Sequence, residues 1–165
     1  MAKEKPQHDI VAIAAIVIAV VSIVVSVWQA AEERTHNRLS VKPKLEIIFR
    51  SDTNQIATFT ISNHGLGPAI IKKLTTFVNR KEIATPDLAG LFVAIDSLGL
   101  RQSVVQFDPI VRGISIPADA SRIIVQFDLK KYPGDPSEIK IYEALGFFVD
   151  YESMYGESDT RRFNQ

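Results

Sequence analysis

The chain contains one long apolar run, IVAIAAIVIAVVSIVVSVW, over residues 10–28, and no charged residue lies between it and residue 32. At about 1.5 Å per residue, a helix of this length crosses the hydrocarbon layer of a bilayer, which is about 30 Å thick. A cleaved signal peptide is the alternative, but its apolar core is only about 7–15 residues long and precedes a small-x-small cleavage site. Cleavage at the end of this run would place Trp28 or Gln29 where a small residue is needed. The sequence therefore predicts an uncleaved transmembrane helix, a signal anchor, over residues 10–31.

Small side chains recur every three or four residues along this predicted helix, so that they share one face. The members of this small-residue stripe are Ala12, Ala15, Ala19, Ser22 and Ser26. In lipid, helices associate by close packing of small residues, which makes the stripe a candidate self-association face. The alternative is that Ala and Ser are simply common in membrane helices.

Basic residues cluster after the predicted helix, in a joint over residues 32–43. Arg34, Arg38 and Lys42 are four residues apart, so they share a face if the helix continues. Each such residue near an anionic leaflet contributes about 1 kcal/mol, and the three are predicted to contact lipid headgroups. Pro43 should end the helix. The polar head, residues 1–9, carries fewer basic residues, which favours a cytoplasmic position for the domain that follows.

Residues 44–165 alternate apolar and polar side chains with a period of two, interrupted by turns rich in Pro, Asp and Gly. About seven short strands are predicted, so the expected fold is mainly β: an antiparallel, immunoglobulin-like β-sandwich behind the transmembrane helix. One or two short helices should interrupt it. The first has Thr85 as its cap, Pro86 as its first residue and Gly99 at its exit, and its apolar face comprises Leu88, Leu91, Phe92, Ile95 and Leu98. The second should open near Asp135 and run towards Ala144.

Two motifs in the sequence carry a resemblance. They are HNRLSVKP (residues 36–43) and NHGLGPA (residues 63–69), and YESMYGE (residues 151–157) extends them. In these segments the chain resembles a group of uncharacterised bacterial single-pass membrane proteins, in which one membrane helix precedes a small β-rich domain. The resemblance implies that architecture and a bacterial inner (plasma) membrane. It implies no activity and no functional residue.

Composition argues against several classes of function. The 19 basic and 19 acidic residues balance, whereas nucleic-acid binding favours a basic face. The chain has no cysteine, which excludes disulfides and thiolate sites. The glycines of NHGLGPA are expected to form a turn with positive φ. The alternative is a phosphate-binding loop, which would need a Lys and a following helix that this segment lacks. A single histidine in the fold, His64, is expected to be a surface residue.

Four carboxylates near the end of the chain, Asp150, Glu152, Glu157 and Asp159, are the candidates for a cation site. Arg161 and Arg162 follow them, and cross-strand ion pairs are the favoured alternative. No metal, cofactor or catalytic residue is therefore predicted. The favoured function is a membrane-anchored, non-catalytic interaction or scaffold protein, a homo-oligomer or a partner of another membrane protein. A membrane-perturbing sensor or effector is the alternative, and a sandwich-type hydrolase comes third.

Overall fold

The computed structural model describes residues 7–132 and 141–164. It divides after Ser40 into a helical unit and a β-rich unit, and the two are described separately. The helical unit is one α-helix, α1 (Gln7–Ser40). Its apolar part, Ile10–Asn37, is long and apolar enough to cross a membrane, and none of its hydrophobic window is buried. The expected helix over residues 10–31 is thus present, and it continues without a break to Ser40.

Polar groups within the apolar part of α1 are satisfied by the helix itself. The Ser22 hydroxyl donates to the Ile18 carbonyl at 2.8 Å, and the Ser26 hydroxyl donates to the Ser22 carbonyl at 2.8 Å. A helix in hydrocarbon needs this arrangement, because lipid offers no hydrogen-bond partner. The serines can therefore lie in the small-residue stripe without requiring a polar group on another helix.

The β-rich unit consists of antiparallel strands with two helices, and the described residues contain nine strands. They are β1 (Leu45–Ser51), β2 (Ile56–Asn63), β3 (Ala69–Val78), β4 (Lys81–Glu82), β5 (Val104–Gln106), β6 (Ser115–Ile116), β7 (Ser121–Asp128), β8 (Leu145–Glu152) and β9 (Ser158–Phe163). The helices are α2 (Asp87–Ser97) and α3 (Ile141–Ala144), and two 3₁₀ turns lie at Arg101–Ser103 and Leu129–Lys131.

The strands form two sheets. One has the order β1-β2-β7-β5 and the other β4-β3-β8-β9, with β6 also paired to β3. The expected β-rich, antiparallel domain is therefore present. The sheets curl into a half-barrel, and the immunoglobulin-like subtype of the sandwich is not confirmed.

The core lies on the inner faces of the two sheets, where the alternating apolar positions meet. Leu45, the first residue of β1, is fully buried. Phe59 lies at the centre of an aromatic cluster, with ring centroids 4.8 Å from Phe49, 5.2 Å from Phe147 and 5.5 Å from Phe163. Rings in contact at these distances add about 0.5–1.5 kcal/mol per pair to their burial. The cluster joins strands β1, β2, β8 and β9.

Helix α2 packs its predicted apolar face on the core and exits through Gly99, whose φ of +67° confirms the left-handed exit. Its predicted start is wrong. The helix begins at Asp87, Pro86 occupies the cap position, and no side chain caps the first turn. Asp87 instead has a φ of +57°, and its carboxylate accepts the Leu74 N–H at 2.9 Å. This contact with β3 determines the start. The predicted opening of the second helix near Asp135 lies outside the described residues.

Candidate functional site

The β-rich unit begins with a short irregular segment, residues 41–44, that is held in place by one buried amide. Asn63 ends β2 and is fully buried. Its side chain lies at hydrogen-bond distance from five backbone groups. The Oδ1 atom accepts two backbone N–H groups, and the two N–H groups of Nδ2 are shared among three carbonyls; the five partners are Lys44 (3.1 Å), Gly65 (2.9 Å), Gly67 (2.8 Å), Ile116 (3.0 Å) and Pro117 (3.2 Å). Asn63 therefore links β1, the β2–β3 turn and β6.

The two glycines of the β2–β3 turn are needed because backbone passes over them. A Cβ atom on Gly65 would lie 2.4 Å from the Lys42 carbonyl oxygen, and one on Gly67 would lie 1.8 Å from the Val41 carbonyl oxygen. Neither glycine has the positive φ that the sequence interpretation assumed. The turn itself is confirmed, and the Leu66 N–H donates to the Lys42 carbonyl at 3.2 Å. Close packing, and not an unusual φ, therefore explains these glycines.

The two sheets meet at a seam, where the first residues of β1 lie beside the middle of β9. Arg161 donates from Nε to the Leu45 carbonyl at 2.6 Å. The Leu45 N–H donates to the Tyr151 hydroxyl at 3.4 Å, and that hydroxyl donates to the Asp159 carboxylate at 3.2 Å. Side chains thus connect the two sheet edges at this point. We call the residues that surround it, Lys42, Lys44, Leu45, Glu46, His64, Tyr151, Asp159, Arg161 and Arg162, the seam site.

Tyr151 remains protonated in this setting. Its side chain is fully buried. Burial raises the pKa of the Tyr151 hydroxyl most, the Leu45 N–H lowers it, the Asp159 carboxylate raises it, and the Arg161 guanidinium lowers it, with a net rise above the ordinary value. A protonated hydroxyl can donate to Asp159 while it accepts from Leu45. The tyrosine is therefore a fixed link between the chain entry and β9.

Two concave spaces adjoin Arg161. One, of about 430 Å³, is lined by Arg162, Glu46 and residues of β1, and the other, of about 340 Å³, is lined by Lys42, His64 and Asp159; Lys44 and Arg161 line both. The seam site contains four permanent cations and two carboxylates, an excess of two positive charges when His64 is neutral. His64 lies 3.5 Å from Glu46. The site is consequently a basic, polar concavity.

The four carboxylates that were candidates for a cation site do not converge. Glu152 pairs with Lys72 at 3.0 Å, and Asp159 belongs to the seam. The described residues contain no group of three or more His, Asp or Glu residues that could hold a metal ion.

The prediction that Arg161 and Arg162 form cross-strand ion pairs is wrong. The β8–β9 register places Arg161 opposite Val149 and Arg162 opposite Phe148. The Arg162 guanidinium lies over the Phe148 ring, 5.1 Å from its centroid.

The residues predicted to contact lipid headgroups come after the predicted transmembrane segment, residues 10–31. Arg34 is exposed, and Arg38 lies in the last turns of the helix, outside the described side chains. Counted from Ala31 at about 1.5 Å per residue, Arg34 lies about 5 Å and Arg38 about 10 Å along the helix. Lys42 lies in the seam site instead, and headgroup contact stays a prediction for all three.

The small-residue stripe lies on a helix whose described side chains are exposed throughout. Ala12, Ala15, Ala19, Ser22 and Ser26 are all accessible in α1, and association through them stays a prediction. Sequence reasoning missed the roles of Asn63 and Tyr151. The only signal for either residue was a polar or aromatic side chain at the end of a strand, which many surface residues share.

Comparison with protein families places most of the chain in one family. A family model described as a domain of unknown function (DUF8453) matches residues 10–164. The match covers the apolar helix as well as the strands. No curated protein matches the chain.

Proposed function

The chain belongs to the DUF8453 family, and because the family match includes the apolar helix as well as the β domain, we propose that it is a membrane-anchored, non-catalytic interaction protein. The observation that carries the proposal is the exposure of α1. Twelve Ile and Val side chains of this helix are at least 40% exposed. Leaving them in water would cost on the order of 20 kcal/mol relative to burial. Lipid is the environment that removes this cost for a helix of this length.

Self-association through the small-residue stripe is part of the proposal. Both serines of the stripe are already hydrogen-bonded within the helix, so the face offers small, apolar-compatible side chains for close helix contact. The remaining faces carry Ile and Val, which suit lipid. The β domain, confined near the membrane by its anchor, meets partners in the same membrane at a raised effective concentration.

We also propose that the domain is a β-sandwich of the immunoglobulin-like subtype. The proposed location of the protein is a bacterial inner membrane, with the β domain in the cytoplasm. The greater number of basic residues after the helix supports this orientation. A reporter protein fused after Gln165 tests it. Activity of a cytoplasmic reporter supports the orientation, and activity of a reporter that functions only outside the cytoplasm contradicts it.

The absence of cysteine from the sequence allows a clean test of self-association. Ala19→Cys places a thiol in the stripe, and Val17→Cys is the matched control because residue 17 lies on the opposite face of the helix. Each full-length variant is oxidised in native membranes. We expect disulfide-linked dimers of Ala19→Cys and few of Val17→Cys, and a second substitution, Ala15→Leu, should remove the Ala19→Cys dimers. Equal crosslinking of the two cysteine variants contradicts the proposed face.

A further inference from the structure

We propose that the seam site binds a phosphate ester that also carries a hydroxyl group, with Arg161, Lys42 and Lys44 contacting the phosphate. The ligand chemistry is that of a glycerol phosphate, which is available both as a soluble compound and as the headgroup of an anionic phospholipid. This inference goes beyond membrane anchoring and does not depend on self-association.

Arg161 is the residue that carries the inference. Its Nε atom donates to the Leu45 carbonyl at 2.6 Å. The residues of β9 that precede and follow Arg161 are paired with β8, so the backbone at this position is held in the sheet. The side chain is half-buried, yet within the described part of the chain no carboxylate forms an ion pair with it. The terminal nitrogens of an arginine present a planar fork of donors that fits phosphate oxygens. A half-buried, oriented cation of this kind is stabilised by an anion.

The nearest carboxylate of β9 is already engaged. Asp159 accepts the Tyr151 hydroxyl at 3.2 Å and the Thr160 N–H at 2.8 Å. Tyr151 holds this carboxylate beside the seam, and no ion pair joins it to Arg161 among the described residues. An external anion therefore completes the charge pairing that the protein leaves open.

The concave spaces beside Arg161 have the size and charge for such a ligand. The space of about 340 Å³ falls within the range of about 300–1,000 Å³ that is usual for small-molecule sites. Lys42 and Lys44 line it together with Arg161, so three cationic residues border the space proposed for the phosphate. Arginine and lysine are the side chains that most often bind phosphate in proteins.

The carboxylates of the seam site restrict the ligand further. Asp159 lines the same space and Glu46 lines the adjoining one, and each repels a compact anion. Asp159 already accepts two hydrogen bonds from the protein, so Glu46 is the acceptor for a hydroxyl group of the ligand. A ligand with a phosphate at one end and a hydroxyl at the other satisfies both types of group. Inorganic phosphate satisfies only the cations, so it should bind more weakly than glycerol phosphate.

The two possible sources of the ligand present the same chemical groups to the seam site. A soluble glycerol phosphate and the headgroup of phosphatidylglycerol each carry a phosphate and a free hydroxyl. The experiment therefore has one arm for each source.

The experiment uses the full-length protein in nanodiscs of phosphatidylcholine, titrated with glycerol 1-phosphate and, separately, with inorganic phosphate by isothermal calorimetry. We expect saturable binding that is weakened at least tenfold by Arg161→Gln and by the double substitution of Lys42 and Lys44 to Gln. Arg101→Gln is the matched control, because Arg101 pairs with Asp96 outside the seam, and it should leave affinity within twofold. Arg161→Lys keeps the charge but loses the fork, and it should bind with intermediate affinity.

The lipid arm replaces phosphatidylcholine with phosphatidylglycerol in the same nanodiscs. If the headgroup is the ligand, native mass spectrometry should detect phosphatidylglycerol retained by the wild type and lost from Arg161→Gln, and glycerol 1-phosphate should no longer bind in these nanodiscs. If a soluble ester is the ligand, its affinity should be the same in both lipids.

Hydrogen exchange of β8 and β9 verifies that each variant is folded. The inference is overturned if neither ester source binds, if the Gln variants bind as the wild type does, if inorganic phosphate binds as tightly as the ester, or if an acidic peptide displaces the ester.

Discussion

Replacing Asn63 by alanine should be among the most damaging single substitutions in the β domain. The change removes a fully buried side chain that is hydrogen-bonded to five backbone groups, three of which share the two N–H groups of Nδ2. Each bond contributes about 1 kcal/mol net, and each buried group left without a partner costs about 1–3 kcal/mol. Water entering the space recovers part of this loss. We therefore expect the free energy of unfolding to fall by about 4 kcal/mol, a large share of the 5–15 kcal/mol typical of a domain.

The assay is a urea titration of the full-length protein in detergent micelles, followed by hydrogen exchange of peptides from β2 and β8. With a slope of about 1.5 kcal/mol per molar urea, a loss of about 4 kcal/mol lowers the unfolding midpoint by about 2.5 M. Asn54→Ala is the matched control, because Asn54 is exposed in the β1–β2 turn. That substitution should change the free energy of unfolding by less than about 0.5 kcal/mol.

A second variant tests the reasoning in its details. Asn63→Asp keeps the shape but directs a carboxylate at the carbonyls of Gly67, Ile116 and Pro117. At pH 7 it should destabilise the domain more than alanine does, because a buried charge facing acceptors costs more than a lost bond. An Asn63→Ala midpoint within about 0.5 M of the Asn54→Ala midpoint, at an unchanged slope, would refute the assignment of Asn63 as the link between β1, the β2–β3 turn and β6.

Three further substitutions are informative. Gly67→Ala should lower the free energy of unfolding by at least about 2 kcal/mol in the same urea titration, because its Cβ would lie 1.8 Å from the Val41 carbonyl oxygen. Gly156→Ala, at a turn with open space, is the control and should lower it by about 1 kcal/mol. Equal losses for the two variants would contradict the close approach of backbone to Gly67. Phe59→Ala should lower the free energy of unfolding by about 3–5 kcal/mol, because it removes the central ring of the aromatic cluster. The loss is measured as a shift of the urea unfolding midpoint. A loss below about 1 kcal/mol would mean that this ring is not central. Because the folded-state pKa of Tyr151 is raised above 10.0, its contribution to stability is complete below pH 10 and is lost as pH rises through the folded pKa. Tyr151→Phe should therefore reduce the decline in stability above pH 10 in a pH series of urea titrations, and an unchanged decline contradicts the raised pKa.

Features of the fold that depend on local patterns could be predicted from the sequence. The alternation of Leu45, Ile47 and Phe49 with polar neighbours indicates a strand because a period of two creates one apolar face. The apolar face of α2 and its exit at Gly99 follow from helical spacing and from the φ that glycine permits.

Features that depend on distant contacts could not be predicted. The start of α2 depends on the Asp87–Leu74 bond, and the roles of Arg161 and Tyr151 depend on Leu45, more than 100 residues earlier in the chain. The partners of Arg161 also depend on the register of β9, which composition alone does not determine. Gly65 and Gly67 could be assigned to a turn, but their requirement for close packing appears only when residues 41–44 are placed over them.

Membrane anchoring by a retained α1 is the central claim, and the intact mass of the protein in washed membranes tests it most directly. Membranes of cells that produce the full-length chain are extracted with alkaline carbonate, and the protein in the pellet and in the supernatant is weighed by mass spectrometry. Anchoring predicts that the protein stays in the pellet with a mass that includes residues 10–31. A mass that lacks these residues, or recovery of the intact chain in the supernatant, would contradict it.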